Sequence, residues 1–452
     1  MQTVTGDGPP DGPADGPADG PAVGQGLLDS IRSRAGRPRS GWTPGSVRLF
    51  AVLLIALQVI QGLSAAPGVA NSTFTQSYFL ITYHHGFVRR GLLGEAVSLV
   101  VGVPTRTEVD LLADVLSLLS VGALLVLVEA LVRRGTASSC SMALLVAASP
   151  FTIDYLFVDH RPDLLAIVVL VGVGAVVTRA TRAVVPWLVA LGVAFGAMVL
   201  VHEDVLLIQI PWAIALVALA TLGREGVVHG GGGPGVGREL TRRLAALLAA
   251  PAVAAVAVVA YGLPSARTVA ELRSDVAAYH LGPGTMFAYL PDSIGTSMRL
   301  VGSIPPSAKA HTVLLGGILV ALQLAWVVAW VRPGIWAPFG RRGNRLLGAV
   351  LGAVILVATG VLFATGVDWL RWFADCGTAW LVVQAFAVLL ESEHAAPLPS
   401  APVTTPGTTD PAVTGRIGFS LWLPALAVYL VAIPPLDLAN TAGLLRHFLF
   451  FT

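Results

Sequence analysis

Apolar runs of roughly 17–25 residues recur along almost the whole chain, and each is long enough to cross about 30 Å of hydrocarbon. Inside a bilayer the backbone finds no water, so a crossing segment must satisfy its own hydrogen bonds as a helix. That one feature reduces the possible folds to an all-α, polytopic integral membrane protein. Charge content agrees. Only 12% of the 452 residues are charged, against about 25% in a soluble chain.

The runs predict about eleven spans, near 49–66, 109–132, 140–156, 163–179, 184–201, 205–222, 244–262, 312–331, 346–366, 376–391 and 418–435. Before them, residues 1–47 are expected to form a disordered cytoplasmic tail. DGPPDGPADGPADGPA is low-complexity sequence with nothing to bury. Residues 48–452 then form one multi-spanning domain. The basic flank ending at Arg48, the apolar run and the small residues SAAPGVA also fit a cleaved signal peptide, and either way the next segment is outer. Placing the N-terminus inside puts Arg133 with Arg134, Arg242 with Arg243, and Arg341 with Arg342 on the inner side, as cytoplasmic basic flanks require. The expected location is the bacterial cytoplasmic membrane.

This topology sends the polar islands to the outer face. The first, Tyr78 to Glu95 (YFLITYHHGFVRRGLLGE), carries His84, His85, Arg89, Arg90 and Glu95. Apolar positions from Phe87 onward repeat with helical spacing, which predicts an interfacial helix with both arginines at its start. Paired arginines there can clamp a phosphate by charge-assisted bonds; equally, they can hold lipid headgroups with Glu95 as partner. The second island, DYLFVDHRPD, carries Asp159, His160, Arg161 and Asp163, with Pro162 suited to a first helical position and Asp163 to the helix dipole. The third, His202-Glu203-Asp204, joins two spans with almost no loop and must face a polar site or snorkel outward. It could also ligate a divalent cation together with Asp159 or His160. The fourth, DWLRWFAD, sets Asp368, Arg371 and Asp375 near one helix face as an ion-pair ladder, with Arg371 also a candidate anion contact. Outer loops 68–108 and 263–311 are the expected carriers of the site, the second through a helix at 266–279, a Gly-Pro-Gly turn at 282–284 and a further helix near 285–301.

Several classes drop out. No Walker loop, dinucleotide fingerprint, zinc-protease helix or lipase elbow is present. Basic residues do not cluster on a soluble face, so nucleic acid is no partner. Cys140 and Cys376 fall on opposite faces in this topology, so no disulfide is expected between them.

Many spans, a first outer loop with an interfacial helix, and acid with Arg/His motifs confined to outer loops together resemble the GT-C class of membrane glycosyltransferases. FVRRGLLGE is also similar to a segment of uncharacterised bacterial membrane proteins. The GT-C resemblance implies a polyprenyl-phosphate-linked sugar donor, an envelope acceptor and a catalytic carboxylate, which that class usually places as an aspartate in the first outer loop. Here that loop offers only Glu95, then Glu108 and Asp110 at the next span, so the resemblance puts the base on Glu95 or on Asp159. It also implies that Arg89, Arg90 and Arg371 stabilise the departing phosphate, while His84, His85 and His202 meet sugar or phosphate oxygens. His160, Arg161, Asp163 and Glu203 complete the expected substrate contacts. Transport or flipping of a lipid-linked or anionic substrate, and a non-catalytic role in envelope assembly, are the rival readings.

Overall fold

The computed structural model describes residues 41–65, 73–149, 161–179, 183–228, 234–281, 285–331, 344–366, 369–394 and 417–418. In chain order its helices are α1 (Pro44–Ala65), α2 (Thr73–Tyr78), α3 (Leu92–Val101), α4 (Arg106–Arg134), α5 (Ala137–Ala148), α6 (Leu165–Thr178), α7 (Val184–Val201), α8 (Gln209–Val228), α9 (Pro234–Tyr261), α10 (Ala266–Asp275), α11 (Met286–Tyr289), α12 (Ile294–Ser303), α13 (Pro306–Trp326), α14 (Arg345–Thr365) and α15 (Trp369–His394). Short 3-10 turns at Pro162–Leu164 and Glu203–Leu206 lead into α6 and α8. One antiparallel pair of two-residue strands joins Gly41–Trp42 to Ile417–Gly418.

The all-α, multi-pass class is thus observed, but the count differs from the expected eleven. Seven helices among the described residues are long and apolar enough to cross a membrane. The expected runs 49–66, 140–156 and 163–179 fall on shorter apolar helices where they are described, and 418–435 lies outside the described residues. Helix ends follow local chemistry. Thr105 and Glu108 form a reciprocal capping box at the start of α4, and Gly135 closes that helix in the left-handed conformation at φ 67°.

Three helices form the middle of the bundle, α5 among them with ten of its twelve residues buried. The apolar window of α15 is 83% buried and that of the α8 segment 78%, against 17% for α9 and α14 and 13% for α13. A helix that is apolar all round yet uncovered by protein must face lipid, which assigns α9, α13 and α14 to the rim. Lipid tails are as apolar as leucine, so helices associate here through close packing and polar bonds rather than through exclusion of water. Gly192 and Gly196 let α7 approach α9 closely; a Cβ on Gly192 would sit 2.5 Å from the Leu247 carbonyl oxygen. Two hydrogen bonds, Gln323 Nε2 to Ser149 Oγ (2.9 Å) and Trp326 Nε1 to Ser141 Oγ (3.0 Å), tie α13 to the core.

The bundle has two chemically distinct ends. At one, Arg48 and Arg133 both bond Glu129 at 2.7 Å, Arg243 bonds Glu239 at 2.8 Å, and Arg134 reaches the Leu389 carbonyl at 3.2 Å. This basic excess suits a cytoplasmic flank. At the other end a cap with its own apolar core forms, in which Tyr78, Phe79, Ile81 and Val88 pack on Leu272, Tyr279, Met286 and Phe287. Arg106 at the start of α4 donates to the Tyr279 carbonyl at 2.5 Å and fixes the cap to the bundle.

Within the cap the interfacial helix is shorter than the spacing suggests. It starts at Leu92 and not at Phe87, so Arg89 and Arg90 precede it. Its outward face, with Leu99 78% and Val100 82% exposed, remains uncovered by protein, as an interfacial helix requires. The second outer loop keeps α10 close to the expected 266–279. Its later helix divides into α11 and α12, and 282–284 lies outside the described residues.

Candidate functional site

Four separate stretches of the chain converge beneath the cap. Arg90 comes from the first outer loop, Arg161 and Asp163 from the turn before α6, His202, Glu203 and Asp204 from the α7–α8 junction, and Arg371 and Asp375 from the first turns of α15. Arg90 adopts φ 65°, a left-handed backbone that costs a non-glycine residue about 1–3 kcal/mol. The conformation aims its guanidinium inward, where Nε and Nη2 grip Glu203 bidentately at 2.7 and 2.5 Å. Its Nη1 meets the Met286 sulfur of the cap. Burial opposes the charge on Arg90, but the Glu203 carboxylate outweighs it and raises the Arg90 pKa above its ordinary value.

Arg89 turns the other way and stitches the cap down. Its backbone N–H donates to the Gly262 carbonyl at 3.0 Å. Its guanidinium donates to the carbonyls of Tyr289 (2.5 Å) and Asp292 (3.1 Å), and to Glu203 at 3.5 Å.

Across the bundle Arg371 bonds Asp163 at 2.9 Å and Asp204 at 3.0 Å, with Asp375 more distant at 3.7 Å. Arg161, only 3% exposed, donates to the Tyr78 hydroxyl and lies over the Tyr78 ring at 4.9 Å. That hydroxyl shares a further hydrogen bond with His202 Nε2 at 3.3 Å, and the two rings stack. Burial pushes the Tyr78 phenol up to about 12, partly offset by Arg161, so it stays a neutral hydrogen-bonding group at physiological pH. Among the described residues the cluster therefore sets four guanidinium groups (Arg89, Arg90, Arg161, Arg371) against four carboxylates (Asp163, Glu203, Asp204, Asp375). Ion pairs at this depth are expensive to desolvate and add little net stability.

Several residues singled out from the sequence lie elsewhere. Glu95 serves its own loop: its carboxylate accepts from the Tyr83 backbone N–H at 2.8 Å and sits 3.9 Å from His84. His84 is half exposed, and His85 bonds Asp275 of α10 at 2.8 Å, tying loop to cap. Asp159, His160 and Asp368 lie outside the described residues. Of the ladder expected in DWLRWFAD, the Arg371–Asp375 half forms only as a long ion pair at 3.7 Å, while Arg371 bonds the cross-bundle carboxylates Asp163 and Asp204 more closely.

Tyr78 and Asp375 join the cluster although the sequence did not single them out as site residues, and Asp204, expected only as a possible cation ligand, joins it as a partner of Arg371. Only their place inside polar islands could have marked them. Glu203 is taken by Arg90, and Asp163 and Asp204 by Arg371. Among the described residues no group of three or more His, Cys, Asp or Glu side chains is arranged to hold a metal ion. Asp159 and His160, expected to complete a cation site with this junction, lie outside the described residues.

Residues 48–281 match the family model described as "Uncharacterised membrane protein Rv1490". The chain belongs to this family. No curated protein and no solved structure matches it. The part of this Rv1490-family chain that the family model covers includes the cap arginines, Arg161, Asp163 and the His202–Asp204 junction. Arg371 and Asp375 come from beyond it.

Proposed function

We propose that this Rv1490-family protein is a membrane glycosyltransferase that moves a sugar from a polyprenyl-phosphate-linked donor to an envelope acceptor at the outer face. The observation that supports this reading is the convergence of four buried or nearly buried arginines at one end of an apolar bundle. Charges kept at such cost in a membrane protein usually serve function. Guanidinium groups match the oxygens of a phosphate, and the lipid-facing surfaces of α9, α13 and α14 suit a long isoprenoid chain. In this reading Arg89, Arg90 and Arg371 hold the donor phosphate and stabilise the charge that builds on it as the sugar departs. The Tyr78–His202 pair offers hydrogen bonds to sugar hydroxyls. The basic residues at the opposite end support an outer location for the cluster.

Native mass spectrometry of the full-length chain in mild detergent tests the reading. A co-purified polyprenyl phosphate or polyprenyl-phosphosugar, lost in a monodisperse Arg89→Gln variant, is expected. Finding only ordinary phospholipid, unchanged by the substitution, would overturn it in favour of transport or scaffolding.

A further inference from the structure

Three of the four cluster carboxylates are committed to arginine. Glu203 holds Arg90 and Arg89, while Asp163 and Asp204 share Arg371. Asp375 differs. Its side chain is 1% exposed, and among the described residues neither of its oxygens accepts a hydrogen bond. Two neighbours on α15 share this condition: the Thr378 hydroxyl and the Trp372 indole N–H are buried without a hydrogen-bond partner among the described residues. Arg371, Asp375 and Thr378 stand at i, i+4 and i+7, along one face of the helix. A buried polar group left unsatisfied costs about 1–3 kcal/mol. Three on adjacent turns beside the arginine cluster mark a place where a polar ligand supplies the missing bonds.

We infer that Asp375 is the general base of the transfer and that the Asp375–Thr378 face of α15 receives the acceptor hydroxyl. This rests on the transferase reading above. The acceptor oxygen attacks the anomeric carbon and its proton passes to Asp375. The new carbon–oxygen bond forms as the bond from that carbon to the phosphate oxygen breaks, and its electron pair leaves with the polyprenyl phosphate. A base needs a free lone pair within reach of the proton it removes, and among the described carboxylates of the cluster Asp375 alone accepts no hydrogen bond at either oxygen, its ion pair with Arg371 being long at 3.7 Å. Charge is matched as well. The phosphate gains one negative charge in the step in which Asp375 loses one, so the arginines face a rising phosphate charge with one competitor fewer. Glu95 is poorly suited, because it is engaged by the Tyr83 backbone and turned into its own loop.

The test uses the full chain in its own cells, comparing wild type, a deletion strain, and the deletion complemented with Asp375→Asn or Asp375→Glu. The readout is the cell's own polyprenyl-phosphate lipids, extracted in chloroform and methanol and quantified by mass spectrometry, beside native mass spectra of each purified protein. Deletion should raise one polyprenyl-phosphosugar. Asp375→Asn should raise it equally, with turnover down about 100-fold or more, while the purified variant still carries that lipid; Asp375→Glu should recover part of the activity. Wild-type lipid levels with Asp375→Asn would overturn the base assignment alone and move it to Asp159. Loss of bound lipid together with turnover in Asp375→Asn would also overturn it, by making Asp375 a binding or structural residue. No lipid change in the deletion strain would remove the transferase reading itself.

Discussion

Removing Glu203 should harm the fold more than removing Glu203 and Arg90 together. Arg90 is held bidentately at 2.7 and 2.5 Å, its side chain is 14% exposed and that of Glu203 22%, so the pair is largely withdrawn from solvent. Glu203→Ala strands the Arg90 charge without its bidentate partner, a loss of about 3–5 kcal/mol for a buried pair. Arg90→Met leaves Glu203 with Arg89 alone, at 3.5 Å, and should cost about 3 kcal/mol. The double variant Arg90→Met with Glu203→Leu replaces the pair by apolar side chains of similar size, which is often near neutral. Arg89 keeps the Tyr289 and Asp292 carbonyls in that variant. The double variant is therefore expected within about 2 kcal/mol of wild type, a coupling of about 3 kcal/mol or more between the two sites. Reversible unfolding of the purified protein in mixed lipid–SDS micelles measures all four corners of the cycle. A double variant as unstable as the sum of the single ones would refute the reasoning, because it would mean that the two side chains do not bond each other.

Two further outcomes are expected. Tyr78→Phe removes the hydroxyl that accepts from buried Arg161 and bonds His202, and should cost about 1–3 kcal/mol in the same assay; no measurable change would refute a stabilising role for that hydroxyl. Gly192→Leu forces α7 away from the α9 backbone at Leu247 and should destabilise by about 1–3 kcal/mol, while the same change at Gly122, where an added Cβ meets nothing within 4 Å, should be far milder. Equal effects at the two glycines would contradict the α7–α9 packing.

The transmembrane architecture was legible because its signal is physical and local. Backbone satisfaction in lipid demands long apolar helices, and the expected 184–201 coincides with α7 while 346–366 lies one residue from α14. The start of α3 was not legible. Helical spacing extends back to Phe87, but Arg90 takes a left-handed backbone to reach Glu203, a partner 113 positions away. The same kind of distance hid the site's wiring. That Arg89, Arg90, Arg161, Asp163, His202, Glu203 and Arg371 share one end could be read from topology, but who holds whom could not. Asp375 is the clearest case. Its spacing from Arg371 predicts a satisfied helical pair, and the structure brings that arginine closer to Asp163 and Asp204, by about 0.7–0.8 Å each.

Arg89 joins pieces of chain that would otherwise move separately. Its backbone holds the residue that ends α9, its guanidinium holds the carbonyls between α11 and α12, and the same group touches Glu203. A displacement of the cap thus pulls on the α7–α8 junction through Arg89 as well as through the Tyr78–His202 and Arg90–Glu203 bonds, and a shift at Glu203 is felt in the cap by the same route. The loop and the charged cluster behave as one lever with Arg89 as its pin, so the cap does not lift without loosening the grip of Glu203 on Arg90.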